Sequence, residues 1–164
     1  MKTTHPKRKP WCNFLFAVIT VLSFAAVAQA SSWRNIEPLK SRRADVEREM
    51  GKPLSEGANG SLNFAVMGGT VSVSFVDASF VRTKKLRPEA EGTVLQIILQ
   101  HENSSDTPES MFLNKDRAFV RDDTKDAIIY RNLKEGIVYT FIGGRLRTTR
   151  YTFSEKQISL ARHR

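Results

Sequence analysis

Past residue 60 the chain alternates apolar and polar positions with a period of two, the spacing of a half-buried strand. Thr70 to Val76 is the clearest case: Val71, Val73 and Phe75 face one way, Ser72 and Ser74 the other. Leu62 to Met67 reads as the strand before it, with Gly68-Gly69 as a two-residue hairpin signal. Phe80 and Val81 read as an extension of the Thr70–Val76 strand beyond a bulge, before a loop from Arg82 to Glu91. Thr93 to Gln100 carries Val94, Leu95, Ile97, Ile98 and Leu99 at both phases, which predicts a central strand covered on both faces. Ala127 to Asn132, Ile137 to Ile142 and Arg145 to Phe153 follow as strands, the last two joined by Gly143-Gly144. Their phase slips between Leu146 and Tyr151, which predicts a bulge. From Ser154 onward the chain is polar and reads as a fraying tail.

One stretch keeps helical spacing instead. Val46 and Met50 lie four apart with Ala44 beside them, and both ends are marked. Ser41 is a good N-cap, Asp45 and Glu47 suit the positive end of a helix, Gly51 suits its exit, and Pro53 forbids continuation. So short a helix does not persist alone in water, so it must lie against the sheet. The expected fold class is therefore α+β: one or two short helices packed on an antiparallel sheet built from β-hairpins. An offset of 75 places Ile142-Gly143-Gly144-Arg145-Leu146 over Met67-Gly68-Gly69-Thr70-Val71, and Lys115-Asp116-Arg117 over Lys40-Ser41-Arg42. On that reading Asp116 caps a second helix and the chain holds two α-β-β units in tandem. Chance matching of two Gly-Gly turns is the alternative.

The N-terminal residues belong to another class. Lys2, Lys7, Arg8 and Lys9 precede an apolar run from Phe14 to Ala28, and Ala28-Gln29-Ala30 puts small residues at the −3 and −1 positions of a cleavage site. This is the pattern of an export signal. Cleavage after Ala30 leaves a single domain, residues 31–164, in the periplasm or outside the cell. The alternative is an uncleaved anchor spanning Trp11 to Ala30, which would be the domain's one contact with a membrane. The whole chain has 26 Lys+Arg against 17 Asp+Glu, and loss of the four signal bases lowers its net charge from +9 to +5. Much of the basicity is thus targeting, and what remains is a poor argument for nucleic-acid binding. Cys12, the one cysteine, leaves with the signal, and a chain of this length buries enough core to do without disulfides.

Little in the remainder points to catalysis. After cleavage only His101 and His163 remain, one in a polar loop and one in the tail, with no H-x-x-x-H, no phosphate loop and no Gly-x-Ser-x-Gly elbow. No cofactor, metal or catalytic residue is selected. Asp122, Asp123 and Asp126 lack the glycine and distal glutamate of a calcium loop and read as a solvated turn. Scattered carboxylates leave a secreted carboxylate-dependent hydrolase as the alternative function, without choosing a pair. Arg145 and Arg147, with Arg150 nearby, are the candidate partner contact. Arg145 and Arg147 share a side of their strand, with Tyr151 in phase if the strand is regular. Such a patch would meet an acidic protein or an anionic headgroup. The competing reading is an edge strand guarded by charge.

The run Pro38-Leu39-Lys40-Ser41-Arg42-Arg43-Ala44-Asp45-Val46-Glu47 through Gly51-Lys52-Pro53 resembles the T-x-x-D/E-V-x-x-x-L-G-x-P element of the BamE/SmpA outer-membrane-assembly lipoproteins, whose helix-plus-sheet build is shared by β-lactamase-inhibitor-protein-like domains. It is more similar to uncharacterised secreted bacterial proteins carrying Ser-x-Arg-Ala-Asp-Val-Glu and, later, a tyrosine strand with a Glu-Gly-Ile turn, here Tyr130 and Glu135-Gly136-Ile137. Arg42 replaces the usual threonine, and the lipid-bearing cysteine is missing. The resemblance implies binding or scaffolding in the cell envelope, with an envelope or extracellular protein as partner and no catalytic residue to transfer.

Overall fold

The computed structural model describes residues 32–162. The segment read as an export signal, including Ala28 and Ala30, and His163 lie outside the described residues. In chain order the elements are α1 (Arg43–Met50), β1 (Ser55–Glu56), β2 (Leu62–Val66), β3 (Gly69–Phe75), α2 (Ala78–Lys84), β4 (Val94–His101), β5 (Val120–Asp123), β6 (Ile128–Asn132), β7 (Ile137–Ile142), β8 (Arg145–Thr152) and α3 (Glu155–Ala161).

The strands form one eight-stranded sheet in the order β1-β2-β3-β4-β8-β7-β6-β5, antiparallel at every pairing. Two meanders, β1 to β4 and β5 to β8, are zipped together where β4 meets β8. This overturns the expected α+β arrangement of short helices on hairpins in tandem α-β-β units. The fold is sheet-rich, with three α-helices. The second unit lacks its helix: Asp116 Oδ1 accepts the Ala118 N–H at 2.9 Å in a local turn, and residues 117–119 run directly towards β5. An Asp can cap a turn as readily as a helix, because its oxygen satisfies whichever nearby N–H is free.

Cross-strand partners share a face, so the register assigns each side chain to one side of the sheet. Leu62, Phe64, Val71, Val73 and Ile97 are buried on the inner face with Ile36, Val46 and Val94, and Trp33, Met50 and Tyr151 pack around them. α1 thus docks through Val46 and Met50. Further along the same face, Leu113, Tyr130, Phe141 and Leu146 form a second cluster, with the Tyr130 and Phe141 rings edge to face at 5.8 Å. A third cluster, Leu86, Ala90 and Ala161, ties α2 to α3 below the sheet. The outer face carries Ser72, Gln96, Ile98, Thr148, Arg150 and Thr140, so β4 is central but not doubly covered.

Several local readings change for identifiable reasons. Ser41 does not cap α1. Its hydroxyl accepts the Glu37 N–H at 2.9 Å, while Asp45 Oδ2 accepts the N–H of Arg42, the residue at the cap position. Ser41 is diverted because its carbonyl accepts the Val94 N–H at 2.7 Å, binding this segment beside the start of β4. Phe80 and Val81 belong to α2, not to a strand, because Asp77 Oδ1 accepts the Phe80 N–H at 2.6 Å and starts a helix. The polar tail is helix α3, opened by reciprocal bonds between Ser154 and Gln157 and anchored by buried Ala161. Asp122 and Asp123 lie on β5, ion-paired with Arg131 and Arg121.

Candidate functional site

Two features decide where the β8 arginines point. β8 is flanked by β4 and β7, so its charges do not guard an edge. The register runs from Thr140↔Thr148 to Phe141↔Leu146, which leaves Arg147 as the extra residue of a bulge. A bulge re-aims side chains. Here it puts Leu146, Thr149 and Tyr151 on the core face, while Arg145 and Arg147 reach back over the loop after β4. Tyr151 pairs with Ile97 and packs on the core, so it does not join the arginines.

Arg145 Nη1 donates to the Ser105 carbonyl at 2.5 Å and Arg147 Nη1 to the Glu102 carbonyl at 3.1 Å. The same loop is held by Leu146 N–H to the Asp106 carbonyl and Glu102 N–H to the Gly68 carbonyl, each 3.0 Å. A depression of about 340 Å³ lies among Glu102, Asn103, Ser104, Ser105, Arg145 and Arg147. Both arginines are exposed, and neither forms an ion pair among the described residues. One carbonyl bond orients a guanidinium yet leaves most of its five donors and its full charge available.

Two exposed apolar tips belong to this end of the sheet. Met67, in the β2–β3 turn next to Gly68, is fully solvent-exposed, and Ile142, paired with Arg145 across the β7–β8 turn, is 48% exposed. Sequence reading singled out the arginines but not these tips, because a turn residue and a strand residue look alike until pairing shows where the strand ends.

On the inner face His101 Nε2 lies 2.9 Å from Thr149 Oγ1. Burial lowers the His101 pKa below its usual 6.5, with the Asp106 carboxylate acting in the opposite sense. Burial raises the pKa of Tyr139 and Tyr151 above 10.0, so both phenols stay neutral at pH 7. Two other depressions lie elsewhere. One, of about 200 Å³, is lined by Leu39, Lys40, Arg42, Arg87, Glu89 and Thr93 among others. Of its cations, Lys40 pairs with Glu37, Arg42 donates to the carbonyls of Glu89 and Glu91, and Arg87 donates to that of Leu160. The other lies beside Tyr130 and β5. Each of the three depressions has a single carboxylate in its lining: Glu102, Glu89 and Asp116. Among the described residues no group of three or more His, Cys, Asp or Glu is placed to hold a metal ion.

No protein-family model, no curated protein and no solved structure matches this chain.

Proposed function

We propose that the chain is an exported, non-catalytic binding domain of the bacterial cell envelope. It engages an acidic face of a partner protein through the sheet end that carries Arg145 and Arg147. The observation behind this reading is the composition of that end: two oriented arginines without acid partners among the described residues, beside exposed Met67 and Ile142. Arginine and methionine next to apolar surface are enriched where proteins meet. The envelope location is supported by the signal pattern ending at Ala30 and by the likeness of Ser41–Pro53 to the BamE/SmpA helix element. The hydrolase reading needs two carboxylates facing across a cleft, and each of the three depressions described above, among residues 32–162, offers one.

The test compares three immobilised forms against envelope extract: the wild type, Arg145→Glu/Arg147→Glu, and Arg150→Glu as a control on the outer face. The expected result is a protein retained by the wild type and by the control at about 0.15 M salt, released at about 1 M as screening shortens to about 3 Å. The double variant should fail to retain it. Equal retention by all three forms would refute the assignment of the surface.

A further inference from the structure

Met50, Met67 and Met111 are the methionines among the described residues, and their surroundings differ. Met50 is half-buried on the first core cluster, and Arg34 Nη1 donates to its sulfur at 4.0 Å. Met111 is half-buried on the second cluster. Met67 is fully exposed. It and Gly68 make the two-residue loop between paired Val66 and Gly69. The backbone there is fixed on β4. The Gly68 carbonyl accepts the Glu102 N–H at 3.0 Å, and Gly69 lies so close to the Gln100 carbonyl that no Cβ fits between them. The loop is therefore held in place while its apolar side chain stands in water. Chemistry at that side chain disturbs no packing.

The reactive atom of that side chain is its sulfur. The sulfur lone pair attacks one oxygen of a peroxide, the O–O bond breaks, and methionine sulfoxide and water form. Sulfur loses two electrons and the peroxide gains them. Charge separates in this step and water stabilises it, so the rate follows the access of water and oxidant to sulfur. We infer that Met67 is a reversible oxidation site for peroxide-class oxidants, and that its oxidation switches off the contact made by its end of the sheet. The sulfoxide is polar where the thioether was apolar. Oxidation thus removes one of the two exposed apolar tips, Met67 and Ile142, that lie at the arginine end. A methionine sulfoxide reductase reverses it, releasing the oxygen as water while two thiols become a disulfide. The oxidation rests on the exposure of Met67 alone. The switch rests on the protein contact proposed for that end.

The purified protein is treated with dilute hydrogen peroxide, and each methionine peptide is followed by mass spectrometry. Met67 should gain its oxygen at least about tenfold faster than Met50 or Met111 in the folded protein, and the three rates should converge in urea. The form oxidised at Met67 alone should keep the Tm of the untreated protein. After the peroxide is removed, that form is immobilised against envelope extract. Retention of the partner should fall by about fivefold or more relative to the untreated wild type, the loss expected for a contact residue. Treatment with the reductase and a dithiol should restore it. Met67→Leu, apolar and inert to peroxide, should retain the partner before and after treatment, and Met67→Gln should lose it without any oxidant. Oxidation of Met67 no faster than that of Met111 would overturn the site. Selective oxidation with unchanged retention would overturn the switch and leave the contact standing. An untreated wild type that retains nothing would instead sink the contact, and the switch with it.

Discussion

Replacing Val46 with alanine tests whether α1 is held by one buried side chain. Val46 is wholly inaccessible and packed among Ile36, Leu62, Phe64, Val71, Val73, Val94 and Ile97. Truncation removes two methyl-sized groups, about 1.6 kcal/mol of transfer free energy at ~0.8 kcal/mol each. The vacated space, roughly 50 Å³ at ~24 cal/mol per Å³, adds up to about 1 kcal/mol where the strands cannot close around it. Alanine is the better helix former, which returns about 0.5 kcal/mol. The net loss is about 2 kcal/mol, or roughly 5–10 °C in Tm for a domain of this size. Urea unfolding followed by circular dichroism reads the loss, with Glu49→Ala on the exposed side of the helix as a control expected within ~0.5 kcal/mol. A Val46→Ala loss no larger than that control would refute the docking of α1 on the sheet.

Gly136 has φ +76°, and a Cβ there would lie 2.2 Å from the Thr152 carbonyl oxygen and 3.0 Å from that of Phe153. Gly136→Ala should therefore lower the urea midpoint by the equivalent of about 2 kcal/mol or more, and a neutral result would show that the β6–β7 turn does not abut β8. The His101 imidazole, whose pKa burial lowers in the fold, should titrate below 6.5 by NMR. Its neutral form is favoured by folding, so its contribution is complete above the unfolded value near 6.5 and is lost as pH falls through the folded value. His101→Gln should flatten the stability profile between about pH 5 and 7; an unchanged slope would assign that pH dependence elsewhere.

Period-two alternation sufficed to place β2, β3, β6, β7 and β8 almost to the residue, and the Gly-Gly pairs marked the β2–β3 and β7–β8 hairpins. Those features depend on neighbours within a few positions, which is the range over which spacing and turn chemistry act. The slip at Leu146–Tyr151 was legible for the same reason, and pairing with β7 locates it at Arg147. Ser41 was misread because a hydroxyl near a helix start has several N–H groups in reach. Which one it meets depended on β4, about fifty residues later. Phe80 and Val81 were misread because two apolar residues fit either period, and Asp77 settled the matter as a cap.

The sites divide along the same line. The sequence alone determined that Arg145 and Arg147 are charged, close together and at a strand start. It also determined a helix with Val46 and Met50 on one side. Only the tertiary structure decided that β4 pairs with β8, which brings the Glu102–Asp106 loop under both arginines and Met67 to the same end. It likewise decided that the Lys115–Arg117 turn lies over Tyr130. The physical reason is distance along the chain: contacts beyond the few residues over which spacing and turn chemistry act leave no periodic trace, and they are chosen by which surfaces can be buried together.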